Sequence, residues 1–314
     1  PLSSFIIIIS TIQSRLLPLI PPSRNRLASP RLAFLLLYAS FLCLRRRENI
    51  FKPYHLQLRL VATTCSGKVE IMWAQPSRKN DVEAGASRPL YPMMLESPEL
   101  RWSFIRKIYS IISIQLLATI AVAATVVSVR PIATFFVSSG AGLAVYIVLL
   151  VTPFIVLCPL YYYHQKHPVN YILLGIFTIT IAFAVGLTCA FTSGKVILEA
   201  VILTATMVVG LTLFTFWAAK RGYDFNFLGP FLFGAVLVLM VFAFIQILFP
   251  LGKLSQTIYG CLASIIFCGY IVYDTDNLIK RYSYDEYIWA AVSLYLDIIN
   301  LFLSLLTIFR AADS

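Results

Sequence analysis

The stretch Ala291-Val292-Ser293-Leu294-Tyr295-Leu296-Asp297-Ile298-Ile299-Asn300-Leu301 decides how this chain is read. Asp297 stands in the middle of an apolar run over 288–309, with Glu286 and Arg310 as the nearest flanking charges, and its side chain is too short to snorkel out. Ser293, Asp297, Asn300 and Ser304 fall at i, i+4, i+7 and i+11, so a helix carries them on one face while its remaining faces are apolar. A single polar stripe on an apolar helix belongs in the interior of a bundle. Serines and asparagine alone fit polar contacts between helices, but a carboxylate exceeds what such contacts require.

Six further apolar segments precede this one, over 104–129, 141–163, 169–190, 197–218, 229–249 and 254–279. Each is long enough to cross about 30 Å of hydrocarbon as a helix at about 1.5 Å per residue. Continuous apolarity without alternation of period two excludes a barrel, so the fold class is an all-α polytopic membrane protein, a seven-helix bundle with the last helix central. The connections are short, which makes consecutive helices antiparallel neighbours. Composition agrees: 59% hydrophobic and 12% charged residues with a mean hydropathy of +0.83 exclude an ordinary soluble domain and a disordered chain. The six cysteines show no metal spacing and read as small core hydrophobes.

The formal charge of +11 is unevenly spread. Residues 1–71 hold ten basic and two acidic residues, +8; residues 72–314 hold fifteen and twelve, +3. Residues 1–71, with apolar runs too short to span and prolines at 18, 21, 22 and 30, have the composition of a targeting or extraneous segment. Residues 72–101 read as a flexible tail, and 102–314 as the membrane domain. Ser97-Pro98-Glu99 is a helix-start signal: a capping hydroxyl, a proline where its missing N–H costs nothing, and a carboxylate at the positive end of the dipole. From Met72 on, eleven Lys/Arg flank one side of the spans and Arg130, Lys195, Lys253 and Arg310 the other, which places the tail in the cytosol. Seven full spans put the C-terminus across the membrane, and a re-entrant last segment returns it. In such a chain the basic residues are topology markers, so no nucleic-acid partner is expected. The bilayer is the first partner. Tyr161, Tyr162, Tyr163, Trp217, Tyr282, Tyr284, Tyr287 and Trp289 cluster at the basic ends and read as an interfacial belt.

Few other ionisable residues lie inside the segments. Asp274 and Asp276 are two residues apart, about 200° around a helix, and cannot face one cavity. Asp274 shares a face with Tyr270 and Asn277 and is assigned to the interior; Asp276, four residues before Lys280, reads as a surface ion pair. Glu199, near the start of its segment, is explained by the helix dipole. His164 and His167 are spaced i, i+3 without a carboxylate or cysteine neighbour, so they suit pH titration better than a metal site. Antiparallel packing of the last two segments brings Asp274 and Asp297 to similar depth. Such a pair takes up a proton or, through its oxygens, a hard cation such as Ca²⁺. There is no phosphate loop, Ser/His/Asp arrangement or HExxH, and no GxGD context around either aspartate, as an intramembrane aspartyl protease would need. An enzyme is not expected.

Tyr273-Asp274-Thr275-Asp276, Ser293 to Phe302, Leu248-Phe249-Pro250 and Gly186-Leu187-Thr188 resemble the Lifeguard branch of the transmembrane Bax inhibitor motif family, most closely its plant members. The resemblance runs from about Trp73 to Arg310. It implies a last helix surrounded by the other six, and a pH-sensitive Ca²⁺ leak of internal membranes (endoplasmic reticulum, Golgi or vacuole) that dampens cell death. It also implies that Asp274 and Asp297 form the sensor and ion gate, with Ca²⁺ as permeant or bound ion, supported by the polar face of Ser293, Asn300, Ser304 and Asn277. In bacterial relatives a basic residue closing the second helix latches onto the acidic pair, a position that falls near His164 here. The alternative expectation is a membrane interaction protein that suppresses programmed cell death by binding cell-death regulators or other membrane proteins, without conducting ions.

Overall fold

The computed structural model describes residues 98–163, 166–249 and 252–313. Among these there are eight α-helices and no strand: α1 (Pro98–Ser128), α2 (Arg130–Ser138), α3 (Gly140–Tyr162), α4 (Val169–Ala190), α5 (Gly194–Lys220), α6 (Leu228–Leu248), α7 (Gly252–Lys280) and α8 (Tyr287–Asp313). All but α2 are long and apolar enough to cross a membrane. The 1–71 assignment, and that of the 72–101 tail up to residue 97, lie outside the described residues; residues 98–101, expected in the tail, form the first turn of α1.

Local sequence accounts for the boundaries. α1 begins at Pro98 with Glu99 in its first turn, as the Ser-Pro-Glu signal predicts. α4 spans the expected 169–190. α5 ends in a Schellman motif: Gly222 takes φ +82°, its N–H donates to Ala219, and Tyr223 N–H donates to Ala218. α2 lies between the expected segments 104–129 and 141–163, where no helix was expected. Pro131 sits in the first turn of α2, where a proline starts a helix rather than ending one.

α8 lies at the centre, with 83% of the residues in its most apolar stretch buried, against 67% for α4, 22% for α6 and 17% for α5. It packs on α7, α5, α1 and α4. The expectation that six helices surround it is refined: α3 packs chiefly on α4, and α6 on α7, as a second layer. α7 runs antiparallel to α8 at close range. A Cβ on Gly260 would come within 2.8 Å of Ile308 Cγ1 and 3.0 Å of the Ser304 carbonyl oxygen. At the far end the Ser193 hydroxyl, just ahead of α5, donates to Asp313 Oδ2 at 3.1 Å. α8 is thus unbroken over 27 residues, and its two ends lie at opposite ends of the bundle. The end that gathers Arg101, Lys107, Lys166, Lys220, Arg221, Lys280 and Arg281 is called the basic end below.

Candidate functional site

The buried stripe of α7 descends through Tyr259, Ala263, Phe267, Ile271, Asp274 and Leu278, at helical spacing. Asp274 is therefore turned toward α8, where its Oδ2 accepts a hydrogen bond from the Ser293 hydroxyl. Ser293 and Asp297 are one turn apart on the same face of α8, and Asp297 is only 2% exposed. Asp274, held at Ser293, and Asp297 consequently lie in the same interior region, the rise from Ser293 to Asp297 along α8 being about 6 Å. Tyr282, in the turn between α7 and α8, closes that region at the basic end. Burial pushes its phenol well above the ordinary value. The negative charge of Asp274 adds to this, a hydrogen bond with Ser293 opposes it, and the charges of Asp297 and Glu286 add further.

The remainder of the predicted polar face is buried but turns inward on its own helix. Asn300 Nδ2 donates to the Leu296 carbonyl at 2.8 Å and the Ser304 hydroxyl to that of Leu301 at 2.8 Å. These residues line the α8 interior without tying helices together. Asn277 is also buried, and its carbonyl accepts from the N–H groups of Arg281 and Tyr282.

Asp276 points away from this region, as the 200° argument requires, but it is not at the surface. It is 1% exposed, and its Oδ1 lies 2.6 Å from Lys280 Nζ, itself buried. The covering is the α5–α6 connection. Phe225 N–H donates to Asp276 Oδ2 at 3.3 Å, Lys280 donates to the Tyr223 carbonyl and lies 3.8 Å from Asp224, and Arg281 reaches Asp224 and the Asn226 amide oxygen. The surface ion pair is thus corrected to a buried clasp on that loop. A surface assignment failed because nothing local to 276–280 reveals what the loop at 223–226 lies against.

The aromatic belt is also only partly a belt. Tyr162 and Trp217 are exposed, but Tyr287 is buried: its hydroxyl accepts from Asn170 Nδ2 at 3.1 Å and lies 3.0 Å from His167 Nε2, and Lys107 Nζ stands 3.3 Å from the ring centroid. His167 therefore meets the first residue of α8. His164, the expected latch position, lies outside the described residues. Glu199 forms an exposed i, i+4 pair with Lys195 at 4.0 Å. Cys158 and Cys261 are exposed on the apolar exterior rather than in the core; Cys189 is buried.

Sequence reasoning missed Tyr295 and Arg101. Tyr295 is fully buried, its hydroxyl 2.8 Å from that of Thr119 on α1, next to Gln115, whose amide donates to Thr178 on α4 at 3.0 Å. Arg101, counted only as a topology charge, donates to the carbonyls of Leu278, Ile279 and Tyr282 at 2.8, 2.9 and 2.7 Å. The signal for it was the lack of glycine or asparagine after Lys280, which leaves the end of α7 without a local cap.

Among the described residues no three His, Cys, Asp or Glu side chains gather into a metal cluster. Two carboxylates do not make a resident Ca²⁺ cage, which takes about six to eight oxygens. They suit a proton or an ion in passage.

Fold and site define a polytopic helical membrane protein whose central helix buries a carboxylate close to a second one on its antiparallel neighbour. The chain belongs to the Bax inhibitor family, as a plant-type Lifeguard member: the family model described as "Inhibitor of apoptosis-promoting Bax1" matches residues 101–314. Protein LIFEGUARD 2 of Arabidopsis thaliana is 79% identical over 243 residues, 77% of this chain and 100% of that protein. Protein lifeguard 4 of Mus musculus is 35% identical over 217 residues, 69% of this chain and 88% of its own. The Golgi anti-apoptotic protein of vaccinia virus is 32% identical over 220 residues, 69% and 89%.

Proposed function

We propose that the protein is an anti-apoptotic, non-enzymatic Ca²⁺ leak of internal membranes, gated by protonation of the Asp274/Asp297 pair. The observation that carries the reading is the Ser293–Asp274 hydrogen bond, one turn from Asp297 in the buried interior. Buried intramembrane carboxylates are costly and occur where ions or protons pass. With both ionised, the pair presents oxygens to a hard cation; with a proton taken up it loses that attraction, and the Ser293 bond that ties α7 to α8 changes character. By the positive-inside rule the basic end faces the cytosol, so the pair responds to cytosolic pH. The family description and the viral relative's name support the anti-apoptotic part.

The test is Ca²⁺ flux through the purified full chain in liposomes over a pH series, with Asp274→Asn and Asp297→Asn in parallel. Asp297→Asn is expected to abolish the pH dependence. Unchanged pH-dependent flux in that variant removes the mechanism, and protection against cell death without any flux in the wild type favours the partner-binding alternative.

A further inference from the structure

We propose that Arg101 is a positioning residue for the carboxylate pair: it holds the end of α7 and the turn into α8 in the register that brings Asp274 and Asp297 together. The inference rests on the reading of that pair as the titrating site.

An α-helix leaves its last four carbonyls without intrahelical donors, and burying them unpaired is costly. At the end of α7 the Asn277 carbonyl is taken by the following backbone N–H groups. Leu278 and Ile279 are not served locally. Their carbonyls, with that of Tyr282 beyond the helix, receive the three-pronged guanidinium of Arg101 from the first turn of α1. The same guanidinium lies 5.1 Å from the Phe104 ring and 6.0 Å from that of Tyr284, which meet edge to face. Arg101 therefore grips both sides of the connection, the last turn of α7 and the short 3₁₀ turn Tyr284–Glu286 that starts α8.

The connection sets the depth at which the two carboxylates face each other. Leu278 is four residues beyond Asp274, so its N–H pairs with the Asp274 carbonyl in the helical ladder while its own carbonyl is held by Arg101. A planar fork with charge at every accessible pH suits this role, because the frame stays fixed while the carboxylates titrate.

The charged and titratable groups around the pair separate cleanly. From α1 come Arg101 and Lys107, the latter over the Tyr287 ring. From the turn come Tyr282 and Glu286. Asp276 and Lys280 of α7 face Asp224 on the other side, His167 ahead of α4 meets Tyr287, and Lys195 and Glu199 of α5 pair at the opposite end of the bundle. Among the described residues, Arg101 is the cation from another helix whose side chain binds the carbonyls at the end of α7.

The test uses the full chain in liposomes, comparing wild type with Arg101→Gln and Arg101→Lys. Hydrogen exchange over residues 277–293, divided by the intrinsic rate at each pH, gives both the protection of the turn and a pH midpoint, whether or not Ca²⁺ moves. Arg101→Gln is expected to accelerate exchange at Arg281 and Tyr282 about ten-fold. It is also expected to move the midpoint, since a displaced end of α7 changes how Asp274 and Asp297 face each other. Arg101→Lys, which keeps the charge but not the fork, should fall between on both measures. Equal protection in all three proteins, faster exchange with an unmoved midpoint, or a wild-type profile flat in pH overturns the proposal. Absence of Ca²⁺ flux in the wild type, measured beside it, removes only the conduction reading.

Discussion

α6 and α8 are both long enough to span a membrane, yet they behave in opposite ways. α6 holds a single polar side chain, Gln246, and buries only 22% of the residues in its most apolar stretch; α8 carries Ser293, Asp297, Asn300, Ser304 and Thr307 and buries 83% of the corresponding stretch. In water the more apolar helix would be inside. In a bilayer, lipid tails compete equally for apolar side chains, so association rests on packing and polar contacts, and the helix with most to hide from lipid takes the centre. Polarity, rather than hydrophobicity, marks the core.

The interior side of this contrast is most sharply broken by removing one charge from a buried pair. Lys280→Met leaves Asp276, 1% exposed, without its cation and beside Asp224. The expected loss is about 3–5 kcal/mol, measured by reversible unfolding in bicelles. A loss below about 1 kcal/mol would mean that the clasp on residues 223–226 is wet and that the interior at this end tolerates charge as a surface does.

Much of the architecture was legible from residues. The central place of α8 followed from the stripe through Ser293, Asp297 and Asn300, and the opposite facing of Asp274 and Asp276 followed from their spacing. Both are properties of one helix. What escaped depends on a partner distant in sequence. Asp276 is buried by a loop some fifty residues earlier, and the end of α7 is capped from α1, about 180 residues away. α5 makes the point by contrast, because its cap is written locally in Gly222. Short-range codes can be read from sequence, but remote donors to a helix end leave only the absence of a local cap as their trace.

Two glycines test the contrast most finely. Gly260 on α7 faces α8, where an added methyl meets Ile308 and the Ser304 backbone at 3.0 Å or less; Gly234 on α6 has nothing within 4 Å of the corresponding position. Gly260→Ala should therefore force α7 away from α8 and destabilise by about 1–3 kcal/mol. Gly234→Ala meets no neighbour and removes backbone freedom from the unfolded chain, so it should stabilise by about 0.5–1 kcal/mol. The same substitution then has opposite signs on adjacent helices, and unfolding in bicelles reads both. Equal effects at the two positions would mean that α7 and α8 are no more tightly packed than α6 is against lipid, leaving the carboxylate pair without the rigid frame that a defined pH response requires.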